Sequence, residues 1–265
     1  MVEGVVLDLD GTVYTSGTPI PGAVEAVERL RERGISVLFC SNNPTKTPAK
    51  YVDRLREMGI EADERDVLPA STVTRDYLRE HHPADPTYLV GEPSLAEYLR
   101  GAGQELVDDP SAAAAFVVSW DRTFDYGTMQ AALDGIDGET AFLGTDPDRV
   151  VPTDDGEMPG SGAVIGAVAR TVGREPDRVL GKPAPEVATA ALDRLGVDAA
   201  DCLVVGDRMD TDLAMGRDHG MKTALVCTGV ADRGDVPGSG VEPDYVLDSL
   251  ADLPDRLADL PDRLD

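Results

Sequence analysis

Positive charge is scarce in this sequence. Of its 265 residues, 24 are Lys or Arg and 50 are Asp or Glu, which gives a formal net charge of −26 at pH 7. Lysine occurs at four positions, 46, 50, 182 and 222. An acidic surface repels nucleic acid and anionic lipid, so we expect neither as a partner. Because the acids are dispersed and arginine replaces lysine, the composition is typical of proteins that stay soluble in concentrated salt, as in halophiles.

Cysteine and long apolar segments are also scarce. Cys40, Cys202 and Cys227 lack the spacing of a metal site and lie in or beside apolar, strand-like segments, so we expect buried, reduced thiols. No run of about 18 apolar residues occurs, and the acidic start enters a strand directly, unlike a signal peptide. These absences predict a cytoplasmic protein that does not span a membrane.

Alternating secondary structure is the main feature that is present. Apolar residues make up 42% of the chain, enough for one large folded domain or two modest ones. The sequence predicts a strand at 4–9, a helix at 24–33 and a second strand at 35–40. This alternation indicates βα units and a largely parallel sheet.

The alternating pattern restarts in the middle of the chain. Apolar strands are predicted at 88–90 and 116–119, and a Gly-, Pro- and Asp-rich stretch at 144–162 is predicted to be a loop. The first pattern then resumes at Val179. We therefore predict a first core segment at 1–82, a second α/β domain at 83–178 and a second core segment at 179–265.

Two carboxylates follow the first apolar strand. From residue 5 the sequence reads Val-Val-Leu-Asp-Leu-Asp-Gly-Thr-Val-Tyr. Side chains two apart in a strand share a face, so Asp8 and Asp10 converge where Gly11 opens the strand into a loop. An acid pair at a strand's carboxyl end suits a divalent cation, or the division of work between a nucleophile and a general acid/base. The alternative is an Asp-Gly turn whose side chains cap backbone amides.

Three further strand ends carry polar side chains. Ser41 and Asn42 follow the second strand, Lys182 lies in Gly-Lys-Pro, and Asp207 precedes Asp212 by five positions. Each has an ordinary alternative: a helix N-cap for Ser41-Asn42, a solvated loop cation for Lys182, and an N-cap with a solvated acid for the last pair. Taken together they supply the nucleophile, donors, cation and metal-binding acids that phosphoryl transfer requires.

The order of these segments resembles the haloacid dehalogenase superfamily of aspartate-nucleophile phosphatases. Its four motifs correspond to Asp-Leu-Asp-Gly-Thr-Val-Tyr at 8–14, Ser-Asn-Asn at 41–43, Lys-Pro at 182–183 and Gly-Asp-Arg-Met-Asp-Thr-Asp at 206–212. The residues of these motifs are similar to those of the branch that contains NagD and the 4-nitrophenylphosphatases. The resemblance implies a doubly wound parallel-sheet core with an inserted α/β cap of the C2 type that closes over the leaving group. One loop departs from the family, because Asp146 stands where Asn is frequent.

The resemblance also implies roles for the acids. Asp8 becomes the nucleophile that forms an aspartyl-phosphate, and Asp10 becomes the general acid/base. Mg²⁺ is the expected cofactor, bound by the Asp8 carboxylate, the Asp10 carbonyl and Asp207. Water molecules are expected to complete the octahedron, and Asp212 is expected to support this metal site by orienting one of them.

The same resemblance assigns the remaining polar residues to the phosphate. Ser41 and Asn42 are expected to donate hydrogen bonds to the transferring phosphoryl group. Lys182 is expected to neutralise that group and to keep Asp8 ionised beside it.

The predicted activity is hydrolysis of small phosphomonoesters, of the sugar phosphate, phosphoglycolate, glycerol phosphate or nucleotide type. A phosphotransferase or mutase of the same superfamily and a non-catalytic phosphate-binding protein remain alternatives, and a homo-oligomer remains open. The chain ends in two copies of Ala-Asp-Leu-Pro-Asp-Arg-Leu, at 251–257 and 258–264. Two copies are too few for a solenoid, so the second is predicted to be a surface extension.

Overall fold

A computed structural model of the protein describes residues 1–153 and 156–258. Its strands, in chain order, are β1 Gly4–Asp8, β2 Tyr14–Thr15, β3 Thr18–Pro19, β4 Ser36–Ser41, β5 Val67–Pro69, β6 Thr87–Val90, β7 Ala115–Val118, β8 Ala141–Gly144, β9 Val150–Thr153, β10 Gly156–Pro159, β11 Arg178–Val179, β12 Cys202–Gly206, β13 Lys222–Val226 and β14 Tyr245–Leu247. Its α-helices are α1 Ala23–Glu32, α2 Pro48–Glu57, α3 Ala70–His81, α4 Pro93–Gly101, α5 Tyr126–Gly135, α6 Ser161–Val172, α7 Pro185–Leu195, α8 Ala214–Asp218 and α9 Leu253–Ala258. The second repeat copy, predicted as a surface extension, lies outside the described residues apart from Ala258.

Two compact units divide the described chain. The first combines residues 1–41, 48–68 and the described residues from 182 onward, and the second combines 42–47 with 69–181. Helix α3, which the sequence analysis places in the first core segment, groups with the second unit because Leu78 packs with Leu95 and Leu99. The predicted boundary after residue 178 falls inside β11, which pairs with β8 of the second unit. The compact units therefore divide the chain at other residues than the predicted domains.

The first unit is built on a six-stranded sheet in the order β14-β13-β12-β1-β4-β5. The central strand β1 is parallel to both neighbours, with Val6 aligned to Val204 of β12 and to Leu38 of β4. A parallel arrangement brings the carboxyl ends of these strands to one edge. The last residues of β1, β4 and β12 consequently lie at the same edge of the sheet.

Both faces of this sheet are buried, as a parallel sheet requires. Val5 and Leu7 of β1 face one apolar cluster together with Val27 and Leu30 of α1. The intervening Val6 points to the opposite face and is also buried. Helix α7 contacts β1 and β4. These features confirm the predicted α/β fold with a parallel sheet.

The second unit has its own parallel sheet, in the order β11-β8-β7-β6. Its strands are short and apolar, and Phe116 and Phe142 are buried with Val168 of α6 in one cluster. Leu143 belongs to a second cluster with Leu95 and other apolar residues. The unit therefore has a core of its own, made by residues from both sides of the sheet.

The stretch at 144–162 differs from its prediction as a loop. It contains the antiparallel hairpin of β9 and β10, in which Val151 is aligned with Met158. Gly, Pro and Asp are depleted in strands, so composition favours a loop here. The hairpin pairs only with itself among the described strands, and Gly156 adopts a φ of 127° that other residues rarely reach.

The structure also bears on the cysteines and on the expectation that no segment spans a membrane. Cys40 and Cys202 are buried and unpaired, as expected, whereas Cys227 is half-buried. Within residues 1–153 and 156–258, we find no helix that combines the length and apolarity needed to cross a bilayer.

Candidate active site

The first site residues lie in a tight turn after β1. The amides of Thr12, Val13 and Tyr14 all donate to the carbonyl of Leu9. Gly11 adopts a φ of 91°, and a Cβ atom there would lie 2.4 Å from Oδ2 of Asp207. Glycine is therefore required both by the backbone conformation and by the close approach of Asp207.

Lys182 is the centre of the buried site. Its side chain is 2% exposed, and Nζ lies 2.6 Å from Oδ1 of Asp8 and 2.6 Å from Oδ1 of Asp212. Nζ also donates to the carbonyl of Cys40 at 3.2 Å. This burial excludes the alternative of a solvated loop cation. A buried ammonium requires compensating charge, and the two carboxylates provide it.

Burial and pairing shift the pKa values of this cluster. Burial raises the pKa of Asp8 well above its ordinary value, Lys182 opposes that rise, and the negative charges of Asp212 and Asp207 add to it. Burial alone lowers the pKa of Lys182, but the carboxylates of Asp212 and Asp8 raise it well above the ordinary value. Lys182 is consequently a permanent cation in this site.

Asp207 and Asp212 are positioned by β12 and by the π-helical segment Met209–Leu213 that precedes α8. Oδ2 of Asp207 accepts from the amide of Val230 at 2.7 Å, and Oδ2 of Asp212 accepts from the amide of Arg208 at 3.2 Å. Asp212 is 1% exposed, so the alternative of a solvated acid is excluded. Irregular helical turns of this kind are frequent at functional sites.

The donor set fits a divalent cation. One oxygen from each of Asp8, Asp207 and Asp212 lies within 4.8 Å of the others. Oδ1 of Asp207 is buried and has no hydrogen-bond partner within the described part of the chain. Three carboxylates face one ammonium, so the cluster carries an excess of negative charge that a bound cation would balance. Burial and the negative charge of Asp212 raise the pKa of Asp207 to about 6.

Asp10 and Ser41 occupy the same edge of the first unit but make different contacts. The hydroxyl of Tyr14 donates to Oδ2 of Asp10 at 3.4 Å. The hydroxyls of Ser41 and Tyr51 lie 3.1 Å apart. The carboxylate of Asp10 is not part of the acidic cluster described above, which contains Asp212 in its place. The predicted ligand from Asp10 is its carbonyl, and this part of the metal site stays a prediction.

Asn42 follows Ser41 directly in the chain but groups with the second unit. Its amide donates to Oδ1 of Asp148 at 3.2 Å, and the backbone amide of Asp148 donates to Oδ1 of Asp146 at 3.3 Å. Asn42 is 7% exposed. Its role at the phosphate remains a prediction from the motif.

Sequence reasoning missed the state of Asp146. This carboxyl group is 2% exposed and accepts from the hydroxyl of Thr145 at 3.0 Å. Burial, reinforced by the charge of Asp148, raises its pKa to about 8, against the hydrogen bonds from Ser161 and Thr145. No local pattern distinguishes a buried neutral Asp from an exposed one, so only the packing identifies it.

The fold and the site together define a class of protein. A parallel α/β sheet that ends in clustered carboxylates and a buried ammonium is suited to binding and transferring phosphate. The sequence profile of the haloacid dehalogenase (HAD)-like hydrolases matches residues 5–105, and a second HAD-like hydrolase profile matches residues 179–253. The chain belongs to this family.

Known members of the family are similar over nearly the whole chain. The p-nitrophenyl phosphatase from Archaeoglobus fulgidus has a TM-score of 0.89 and 40% identity, with 96% of this chain and 99% of that chain covered. NagD from E. coli has a TM-score of 0.85 and 25% identity, with 94% and 97% covered. The sugar-phosphatase AraL from Bacillus subtilis is 35% identical over 250 residues, which are 94% of this chain and 91% of the relative. The chain is thus a NagD-like phosphoric monoester hydrolase, as its motifs predicted.

Proposed function

We propose that this enzyme hydrolyses small phosphomonoesters in the presence of Mg²⁺, through a phosphoryl group carried on Asp8. The observation that supports this most directly is the contact of Lys182 with both Asp8 and Asp212 at 2.6 Å. The ammonium holds the Asp8 carboxylate in one orientation and provides positive charge where a phosphate dianion would otherwise be repelled. Relatives named as sugar and nitrophenyl phosphatases support the same activity.

In the first half of the proposed reaction, an oxygen of Asp8 attacks phosphorus while the bond to the ester oxygen breaks. Asp10 gives its proton to the departing alkoxide, so the leaving group departs as an alcohol. The product is a mixed anhydride between Asp8 and phosphate. Asp10 is now ionised and ready to act as a base.

In the second half, Asp10 takes a proton from a water molecule as that water attacks phosphorus. The bond between phosphorus and Asp8 breaks, inorganic phosphate leaves, and the Asp8 carboxylate is restored. Lys182, Ser41 and Asn42 are assigned to the phosphoryl oxygens in both halves. Their donors stabilise charge that increases in the transition state, which lowers the barrier.

The residues proposed to hold Mg²⁺ are Asp8, Asp207 and the carbonyl of Asp10, with Asp212 in support. The buried Oδ1 of Asp207, which has no hydrogen-bond partner among the described residues, and the excess negative charge fit a hard divalent cation. When bound, Mg²⁺ neutralises charge on the nucleophile and on the phosphoryl group. Asp212 already binds Lys182 through Oδ1, so this residue connects the cation site to the ammonium.

The substrate is proposed to be a small metabolite of the sugar phosphate, phosphoglycolate, glycerol phosphate or nucleotide type. The formal charge of −26 disfavours a polyanionic substrate, whereas a small ester meets the local positive charge of Lys182. The same composition supports a cytoplasmic enzyme of a salt-rich environment. A phosphotransferase or mutase differs only in the acceptor, which would have to compete with water.

The test is phosphate release from a metabolite panel in high salt, with Mg²⁺ or chelator, in wild type and in Asp8→Asn. Rapid acid quench with labelled ester should trap a phosphoryl group on wild-type protein and none on the variant. Release of free phosphate without any acceptor distinguishes a hydrolase from a phosphotransferase. Unchanged turnover in chelator, or in the variant, would contradict the proposal.

A further inference from the structure

Tyr14 is a buried residue whose hydroxyl lies next to the proposed acid/base. Its side chain is 0% exposed, and the hydroxyl donates to Oδ2 of Asp10 at 3.4 Å. The turn makes this contact possible, because the amide of Gly11 donates to the carbonyl of Tyr14 and the amide of Tyr14 donates to Leu9. The backbone therefore brings Tyr14 back over Asp10, four residues earlier in the chain.

The ring of Tyr14 is held from its other side by Arg54. The guanidinium carbon of Arg54 lies 4.4 Å from the ring centroid, at the distance of a cation–π contact. Burial raises the pKa of Tyr14 above its ordinary value, and the charge of Asp10 raises it further. The phenol consequently keeps its proton and remains a hydrogen-bond donor at neutral pH.

Tyr51 makes an equivalent contact with Ser41. Tyr51 is 0% exposed, it lies in α2, and its hydroxyl is 3.1 Å from Oγ of Ser41. Burial raises the pKa of Tyr51 as well, so this phenol is also neutral. Either hydroxyl of the pair can be the donor.

We infer that Tyr14 and Tyr51 are positioning residues of the phosphatase reaction, Tyr14 acting through Asp10 and Tyr51 acting through Ser41. The inference rests on the proposed function. The resemblance to the family gives neither tyrosine a role in the reaction, although Tyr14 is the last residue of the first motif. Each is a buried phenol whose polar atom faces a group with an assigned role at the phosphate, and burial of such an atom is costly unless it is hydrogen-bonded.

The contact of Tyr14 selects one oxygen of Asp10 for proton transfer. Oδ2 accepts from Tyr14, so the proton that Asp10 gives and takes is carried on Oδ1. Without the phenol, a hydrogen bond that distinguishes Oδ2 from Oδ1 would be lost. Loss of this orientation should slow those steps that require a proton, and should spare steps that do not.

The contact of Tyr51 selects the direction of the Ser41 hydroxyl. When Tyr51 donates to Oγ of Ser41, the proton of Ser41 points away from Tyr51, and we assign a phosphoryl oxygen as its acceptor when substrate is bound. Loss of the phenol should therefore weaken phosphate binding for every substrate to the same extent. The two tyrosines are thus expected to give different kinetic effects, although both change by one hydroxyl group.

The test uses Tyr14→Phe and Tyr51→Phe, with Tyr88→Phe as the control. Tyr88 stacks on Phe116 in the second unit at a centroid distance of 4.9 Å, and it is half-buried. Each variant is assayed with 4-nitrophenyl phosphate, whose leaving group needs little protonation, and with the best alkyl phosphate of the metabolite panel. Inhibition by inorganic phosphate measures binding separately from turnover.

Tyr14→Phe should lower the rate of phosphoryl transfer to Asp8, measured in single turnovers, about tenfold for the alkyl ester and less than about threefold for the nitrophenyl ester, and it should slow hydrolysis of the aspartyl-phosphate to the same extent for both. In an Asp10→Asn background the same change should have no further effect, because its route through Asp10 is already lost. Tyr51→Phe should raise the inhibition constant of phosphate about threefold to tenfold, equally for both esters. If Tyr14→Phe does not fold, Arg54→Gln, which leaves the phenol in place but frees its ring, should show the same selectivity at smaller size.

The outcomes separate this inference from the function on which it rests. If wild type releases no phosphate from either ester, the proposed function fails and the inference fails with it. If wild type is active but both variants match Tyr88→Phe, or if Tyr14→Phe slows phosphoryl transfer from both esters equally and Tyr51→Phe leaves phosphate inhibition unchanged, only the positioning roles are overturned. An additive effect of Tyr14→Phe on Asp10→Asn would also overturn the role of Tyr14.

Discussion

The two units of this protein bury carboxyl groups in opposite ways. In the first unit, Asp8 and Asp212 lie on either side of the ammonium of Lys182. In the second unit, Asp146 is surrounded by the hydroxyls of Thr145 and Ser161, and its charged neighbour is the acid Asp148. Burial raises the pKa of both Asp8 and Asp146, but a cation opposes the rise only at Asp8.

The difference illustrates two ways to bury a carboxyl group, either beside a cation that favours its charged form or as a protonated, neutral acid. A carboxylate that is proposed to attack phosphorus needs its negative charge, and a neighbouring cation favours the charged form against the loss of water. A carboxyl group that only has to satisfy hydrogen bonds can take up a proton instead, because a neutral acid is far less costly to bury.

The first prediction concerns the charge of Asp8. Asp8→Asn should lower turnover by about 10³-fold or more, because an amide cannot act as the nucleophile. The fold should survive, since Lys182 keeps its contact with Asp212. Steady-state phosphate release checks the loss, and thermal unfolding checks the fold. Activity close to wild type, in protein shown free of contaminating phosphatase, would contradict the role of Asp8.

The second prediction concerns the cation of the first cluster. Lys182→Met leaves Asp8 and Asp212 buried without their ammonium, so the free energy of unfolding should fall by about 3 to 5 kcal/mol. Lys50→Met, on an exposed position of α2, is the control and should change it by less than about 0.5 kcal/mol. Denaturant titration measures both. If the free energy of unfolding fell by the same small amount in both variants, the buried cluster would not need Lys182 for its stability.

The third prediction concerns the proton of Asp146. The native state keeps this proton until about pH 8, whereas the unfolded chain loses it near 3.8. The native state therefore binds more protons between these values, and the stability contributed by Asp146 is lost as pH rises through that range. Asp146→Asn cannot ionise, so its stability relative to wild type should increase by roughly 1 kcal/mol for each pH unit from 5 to 8.

Denaturant titrations of wild type and Asp146→Asn at pH 5, 6, 7 and 8 measure this trend. Asp134→Asn, at an exposed position of α5, provides the control. A difference between wild type and Asp146→Asn that stays constant with pH would show that Asp146 is already ionised in the native state, as Asp8 is proposed to be.

The fourth and smallest effect concerns the exposed acids, which differ from both buried clusters. The melting temperature should rise with KCl, because the Debye length falls from about 30 Å at 0.01 M to about 3 Å at 1 M and screens repulsion among dispersed carboxylates. The pH-dependent gain of Asp146→Asn should persist in 1 M salt, because a buried group is screened much less. A melting temperature that does not respond to KCl would remove support for the halophilic interpretation.

Local sequence patterns predicted much of the fold and of the site. Alternating apolar segments predicted the parallel sheet, and the strand at 4–9 differs from β1 by one residue at its end. The spacing of Asp8, Asp10 and Gly11 predicted a turn that presents acids, because side-chain direction and glycine's backbone freedom are properties of a few neighbouring residues. The hairpin of β9 and β10 was missed because its composition is that of a loop.

Contacts between distant residues were decided by the tertiary structure alone. Lys182 lies 174 residues from Asp8 in the chain, and only the folded sheet brings its ammonium to 2.6 Å from that carboxylate. Folding also brings the hydroxyl of Tyr51 to 3.1 Å from that of Ser41, and the pKa of Asp146 is raised because the folded chain removes its carboxyl group from water. By itself the sequence determined which residues follow the strands and in what order, since those features are local. Which charges are paired, which acids keep a proton and which hydroxyls face the site depend on burial and on distances across the chain, and these exist only once the chain is packed.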